Sequence, residues 1–123
     1  MTCVVQNFFF DCADACELGR FWSEVVGKPM TEAGDSETII EMDNGVHLYF
    51  GQVPEPKTVK NRIHLCLQPD VPRDEEVERL LKLGATLLHD RRNPDGTGWA
   101  VLGDPEGNEF CVLRSAAEKA ATS

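Results

Sequence analysis

Asp104-Pro105-Glu106-Gly107-Asn108-Glu109-Phe110-Cys111-Val112-Leu113 is the stretch that decides how this chain is read. Pro105 presets φ and Gly107 accepts positive φ at no steric cost, so Asp104 to Asn108 reads as a turn. The residues after it alternate. Phe110 and Val112 point to one side, Glu109 and Cys111 to the other, as a strand with two unlike faces requires. The first face suits a core. The second carries an acid and a thiol and suits a pocket. Asn44-Gly45, a hairpin signal, opens the same arrangement earlier in the chain. There Val46, Leu48 and Phe50 form an apolar face opposite His47 and Tyr49.

Working outward, Val4 to Phe10 is rich in β-branched and aromatic residues and is predicted as a strand. Asp14 is a good N-cap, with Glu17 three residues on. Leu18, Phe21, Trp22, Val25 and Val26 then recur at helical spacing as one apolar stripe, whose plain reading is core packing. Gly27 and Pro29 end that helix. Strands are predicted over Met30–Ala33, Thr38–Asp43 and His47–Phe50, with a turn at Gly34-Asp35-Ser36. The stretch Gly51 to Asn61 has no periodicity and reads as a crossover linker. Arg62 to Leu67 alternates, with Ile63, Leu65 and Leu67 on the core side. A second helix enters around Pro72, its acids Asp74, Glu75 and Glu76 at the positive end of the helix dipole. Val77, Leu80 and Leu81 are its buried stripe, and Gly84 ends it. Thr86–His89 and Trp99–Leu102 are further strands, separated by a polar loop, Arg91–Gly98, whose Arg91-Arg92 reads as solvated or as a guard for an anionic ligand. Ser115 to Ser123 reads as a frayed tail, with a helix as the alternative.

Composition sets the bounds. At 123 residues the chain is one domain, 1–123, with a core of its own. A net charge of −9 argues against nucleic acid and anionic membrane as partners. No apolar run approaches the roughly 20 residues of a membrane span, and the first residues lack the positive leader of a signal peptide. Five cysteines without a Cys-x-x-Cys pair predict free thiols in a reducing, cytoplasmic compartment.

The pattern is written twice. Asn7 and His64 are 57 residues apart, as are Gly27 and Gly84. Gly45 and Gly107 are 62 apart, as are Tyr49 and Cys111, the difference falling in the Arg91–Gly98 region. The order predicts an α+β fold of two tandem βαβββ modules, 1–51 and 61–114, joined by a linker at 52–60 and followed by a tail at 115–123. The two modules are expected to form a curled mixed sheet with the helices on its outer face.

Four motifs carry a family resemblance: Phe21-Trp22-x-x-Val25-Val26-Gly27, Lys60-Asn61-Arg62-Ile63-His64-Leu65, Leu83-Gly84-Ala85 and Asp104-Pro105-Glu106-Gly107-Asn108. With them the chain resembles the vicinal oxygen chelate superfamily of glyoxalase I, bleomycin-resistance proteins and extradiol dioxygenases, and within it the small glyoxalase-like domain group. The resemblance implies a metal site on the concave sheet face, with ligands from the first and last strands of each module. The matching positions are Asn7, Tyr49, His64 and Cys111. Only His64 is an orthodox ligand, and Cys111 suits a soft ion. No metal or other cofactor is therefore expected, with a divalent ion kept as the alternative. A homodimer is a further implication of the resemblance.

Alternation by itself puts Asn7, Phe9, His47, Tyr49, His64, Cys66, Glu109 and Cys111 opposite the apolar faces, a mixed lining of the kind small-molecule sites use. His64 reads as a ligand contact or a structural histidine, Tyr49 as a contact or packing, and Glu109 as a solvated acid or a general base. His64 and Glu109 are the catalytic candidates. The expected function is binding of a small organic ligand in the concave sheet cavity. The alternative is a glyoxalase-type lyase or isomerase that depends on a divalent ion.

Overall fold

Asp14 starts the first helix as its sequence predicts. The computed structural model describes residues 1–34 and 36–122. Asp35, placed in a turn by the sequence, and Ser123, the end of the tail, lie outside them. Asp14 is extended and its Oδ1 accepts the Glu17 backbone N–H at 3.1 Å. Helix α1, Ala15–Val26, closes at Gly27, where φ of 68° is the left-handed value that favours glycine.

The chain divides into two compact units, Met1–Thr58 and Val59–Ser123. In the first, strands β1 (Asn7–Cys12), β2 (Met30–Glu32), β3 (Glu37–Glu41) and β4 (His47–Gln52) form a sheet in the order β1-β4-β3-β2. β1 runs parallel to β4, and the other pairs are antiparallel. α1 packs on β3 and β4. Its stripe of Leu18, Phe21, Trp22 and Val25 is buried together with Ile40, Leu48 and Phe50. Each such side chain contributes about 1.5–3 kcal/mol by leaving water. Phe10 completes the layer, its ring 4.9 Å from Phe50 and 5.6 Å from Trp22. At Gly19 the helix lies close against the sheet, since a Cβ there would lie 2.5 Å from Thr38 Cγ2.

The second unit repeats this plan with β5 (Leu65–Leu67), α2 (Arg73–Leu83), β6 (Thr86–Arg92), β7 (Gly98–Gly103) and β8 (Glu109–Val112), in the sheet order β5-β8-β7-β6. β5 is parallel to β8. Val77, Leu80, Ala100, Leu102, Phe110 and Val112 form its core. Pro72 occupies the N-cap of α2 and offers it no side-chain bond. The open end is served from the C-terminal segment. Glu118 Oε1 accepts the backbone N–H of Arg73 at 2.7 Å and that of Ser115 at 2.9 Å, while Ser115 Oγ accepts from the Glu118 N–H at 3.1 Å. Ser115-Ala116-Ala117-Glu118 is therefore a capping box. It starts a short helix α3, Ala116–Thr122, in the segment that the sequence left between tail and helix.

Among the described residues eight strands form the predicted α+β fold of two βαβββ runs, bonded as two four-stranded mixed sheets. Three local expectations are corrected. β1 begins at Asn7, not Val4, because β4 begins at His47 and leaves Val4 and Val5 nothing to pair with. For the same reason Arg62 and Ile63 drop out of β5, which spans Leu65–Leu67: the positions opposite them precede Glu109, where β8 begins, and Ile63, expected in the core, is 79% exposed. The polar loop is shorter than Arg91–Gly98, because β6 continues to Arg92, opposite Gly98. Arg92 is tied down by Asp90 at 2.8 Å and Asp74 at 3.1 Å, so it is neither a solvated loop residue nor a free guard. Its guanidinium holds the Asp90 carboxyl down at about 2.

Candidate functional site

Registered partners in a sheet share a face, so the pairing sorts the candidate residues into rows. In the first unit Asn7 lies opposite His47, which lies opposite Glu41. One pleat along, Phe9 lies opposite Tyr49, which lies opposite Ile39. These two rows form the face of the sheet turned away from α1. Phe9 and Tyr49 stack, with ring centroids 5.8 Å apart and planes 22° apart. His47 meets Tyr49 edge-on at 6.1 Å. Phe9 remains 51% exposed, and one edge of its ring, Cε1 and Cζ, closes on Gly51, where a Cβ would stand 2.6 Å from both atoms. His47 Nε2 is 3.7 Å from Glu41 Oε1, and its Nδ1 is buried with no hydrogen-bond partner. The first unit thus brings together all four residues the sequence placed there: an aromatic platform flanked by an imidazole and a carboxamide.

In the second unit Cys66 lies opposite Cys111 in the parallel pair β5–β8. His64 precedes Cys66 by two residues and falls on the same side. The imidazole nitrogen and the two Sγ atoms all lie within 4.8 Å of one another. His64 and Cys66 are exposed while Cys111 is buried. Burial first, and then the neighbouring Cys66 thiol, push the Cys111 thiol up to about 11, against the pull of the Lys60 ammonium. Glu109 is half-buried, and its Oε2 accepts the Asn61 backbone N–H at 3.4 Å. It is not part of the His64–Cys66–Cys111 group.

The Asp104–Asn108 turn holds β8 in place. The buried Asp104 carboxylate accepts the backbone N–H groups of Glu106 and Asn108, each at 2.9 Å, and the Asn108 side-chain amide. Asn108 Oδ1 in turn accepts from Asn61 Nδ2 at 2.8 Å, tying the segment before β5 to the turn before β8. The thiol pair was within reach of the sequence. The offsets of 57 and 62 residues carry Phe9–Tyr49 onto Cys66–Cys111, but only the strand register says that the two members of each pair face each other.

The hard divalent ion implied by the resemblance does not fit the residues present. Asn7 and Tyr49 offer a neutral carboxamide and a phenol, and Cys111 a thiol, where such an ion takes carboxylate and imidazole donors.

With fold and faces in hand, comparison with known proteins places the chain. Residues 7–113 match the family model described as a glyoxalase-like domain, and the chain belongs to that family, within the vicinal oxygen chelate superfamily. Solved structures of similar fold include a possible glyoxalase from Bacillus cereus, at 15% identity and TM-score 0.68, covering 91% of this chain and 99% of that one. A glyoxalase/bleomycin resistance protein/dioxygenase family enzyme from Burkholderia phytofirmans is 19% identical at TM-score 0.67, covering 87% and 94%. A mutant of the fosfomycin resistance protein FosX from Listeria monocytogenes, complexed with Mn(II) and 1S,2S-dihydroxypropylphosphonic acid, is 15% identical at TM-score 0.72, covering 97% and 95%. At these identities the likeness is one of fold. No protein of curated function matches the sequence. Among the described residues no helix is long and apolar enough to cross a membrane.

Proposed function

We propose that this chain binds a small organic ligand with a planar, unsaturated part, on the open sheet face of its first unit and without a hard metal ion. The observation that carries this reading is the Phe9–Tyr49 stack, since a half-exposed phenylalanine ring with one edge seated against Gly51 leaves aromatic surface for a second π-system. The His47 imidazole, partly exposed and edge-on to Tyr49, supplies a polar group to orient such a ligand. Asn7 adds an amide donor and acceptor in the same row. The net charge of −9 favours a cationic over an anionic ligand. In the second unit, His64, Cys66, Glu109 and Cys111 remain proposed contacts of their own sheet, a set separate from the aromatic face.

A thermal-shift screen of aromatic and cationic metabolites and antibiotics, bleomycin among them, tests the proposal. The expected result is a compound whose stabilisation saturates and is lost in Phe9→Ala. A hit that binds Phe9→Ala as tightly as the parent would remove the aromatic face from the site.

The same proposal includes a reducing cytoplasmic compartment and a homodimer. All five cysteines are free thiols, which supports the first. β1 is an edge strand preceded by exposed Val4 and Val5 and carrying exposed Phe8, which supports the second. Light scattering on the purified chain, with Phe8→Asp as the variant expected to be monomeric, tests the dimer.

A further inference from the structure

We propose that His64, Cys66 and Cys111 form a binding site for a thiophilic metal ion, zinc(II) in the first place. The three donor atoms lie within 4.8 Å of one another on one face of one sheet. In a tetrahedral zinc site with Zn–S of about 2.3 Å and Zn–N of about 2.0 Å, neighbouring ligand atoms stand roughly 3.5–3.8 Å apart. Closing the difference takes about 1 Å, within reach of rotamer changes in His64 and Cys66, which are exposed and start on β5 or just before it. Cys111 is the fixed member, buried in β8 directly opposite Cys66.

The donor chemistry selects the ion. Two sulfurs and an imidazole suit zinc(II) or copper(I) and are poor ligands for magnesium, manganese or calcium. Three protein ligands leave a fourth position for water or an exogenous donor, an open rather than a structural coordination sphere. This site lies wholly within the second unit, depends on Cys66, and is independent of the aromatic face of the first unit.

Cobalt(II) added to reduced, metal-free full-length protein is the spectroscopic probe. The expected result is one equivalent bound, with a thiolate-to-cobalt charge-transfer band in the near ultraviolet and the intense visible bands of tetrahedral cobalt, both erased by stoichiometric zinc. Cys66→Ser, at an exposed position that folding does not need, should weaken zinc by about 100-fold or more and remove most of the charge-transfer intensity. A Cys3→Ser, Cys16→Ser double variant should match the parent. Weak octahedral cobalt bands, or full binding in Cys66→Ser, would overturn the site. So would a Cys66–Cys111 disulfide forming in air as fast with zinc present as without it, because thiolates held by the metal are protected from oxidation. Cys111→Ser serves only as a supplement, its side chain being buried.

Discussion

The carboxylate of Glu118 accepts the backbone N–H of Arg73, so the C-terminal segment caps a helix that begins 45 residues earlier in the chain. Pro72 offers that helix end no cap of its own. Glu118→Ala is expected to cost about 1 kcal/mol, the usual size of a lost cap. Hydrogen bonding from the Ser115 backbone, opposed in part by desolvation and reinforced by the Arg73 N–H, lowers the Glu118 carboxyl below its ordinary 4.5. A depressed pKa means stability that is present above 4.5 and lost as pH falls through the folded value. Urea melts at successive pH values should show the parent losing stability below about 4.5, and Glu118→Ala losing less.

Gly19→Ala sets two effects against each other. Alanine is favoured over glycine in a helix interior by about 1 kcal/mol. Its Cβ, however, would stand 2.5 Å from Thr38 Cγ2 and 3.0 Å from Thr38 Cβ on β3. Thr38 is buried, and its hydroxyl donates to the Ala15 carbonyl at 2.9 Å, so it has little room to yield. Overpacking of this kind costs about 1–3 kcal/mol and also strains that bond. The expected outcome is net destabilisation by about 1 kcal/mol in a denaturant melt. A Gly19→Ala, Thr38→Ser double variant should recover part of it.

Adjacent phenylalanines of β1 should behave oppositely. Phe10 packs on Trp22 and Phe50, and Phe10→Ala is expected to cost about 3 kcal/mol. Phe9 sits on the open face, half exposed, and Phe9→Ala should cost less than about 1 kcal/mol while abolishing ligand binding. Paired melting and binding curves separate the two roles.

Arg73 is a nearly buried cation whose Nη1 donates to three successive carbonyls, those of Gly96, Thr97 and Gly98, at 3.3, 2.9 and 3.0 Å. It fastens the β6–β7 loop to the start of α2. Arg73→Met keeps most of the side-chain volume and removes the charged donors. A loss of about 2–3 kcal/mol is expected, together with faster amide exchange across residues 93–98. Unchanged exchange there would show that the loop holds itself, through Asn93, Asp95 and Thr97.

The repeated βαβββ order was legible in the chain because its signals are local. Asp14 and Gly27 mark the ends of α1 by backbone chemistry that needs no partner. The alternation in His47–Phe50 and Glu109–Val112 tells strand from helix by period alone. What failed at the edges was equally specific. Val4, Val5 and Ile63 carry the apolar, β-branched character of strand residues, yet strand length is decided by where the neighbouring strand begins. Arg91-Arg92 reads as a polar loop until Asp74, on another element, is found beside Arg92.

The sequence by itself determined the module, the two faces of each strand and the residue types on the open face, because covalent order and the period of two are local properties. Only the tertiary structure decided which of those residues meet. Parallel pairing joins segments about 40 residues apart, and its register is set by long-range packing and by turns such as Asp104–Asn108. That register turned Phe9 and Tyr49 into a stack, Cys66 and Cys111 into a facing thiol pair with His64 alongside, and Glu118 into the cap of a distant helix.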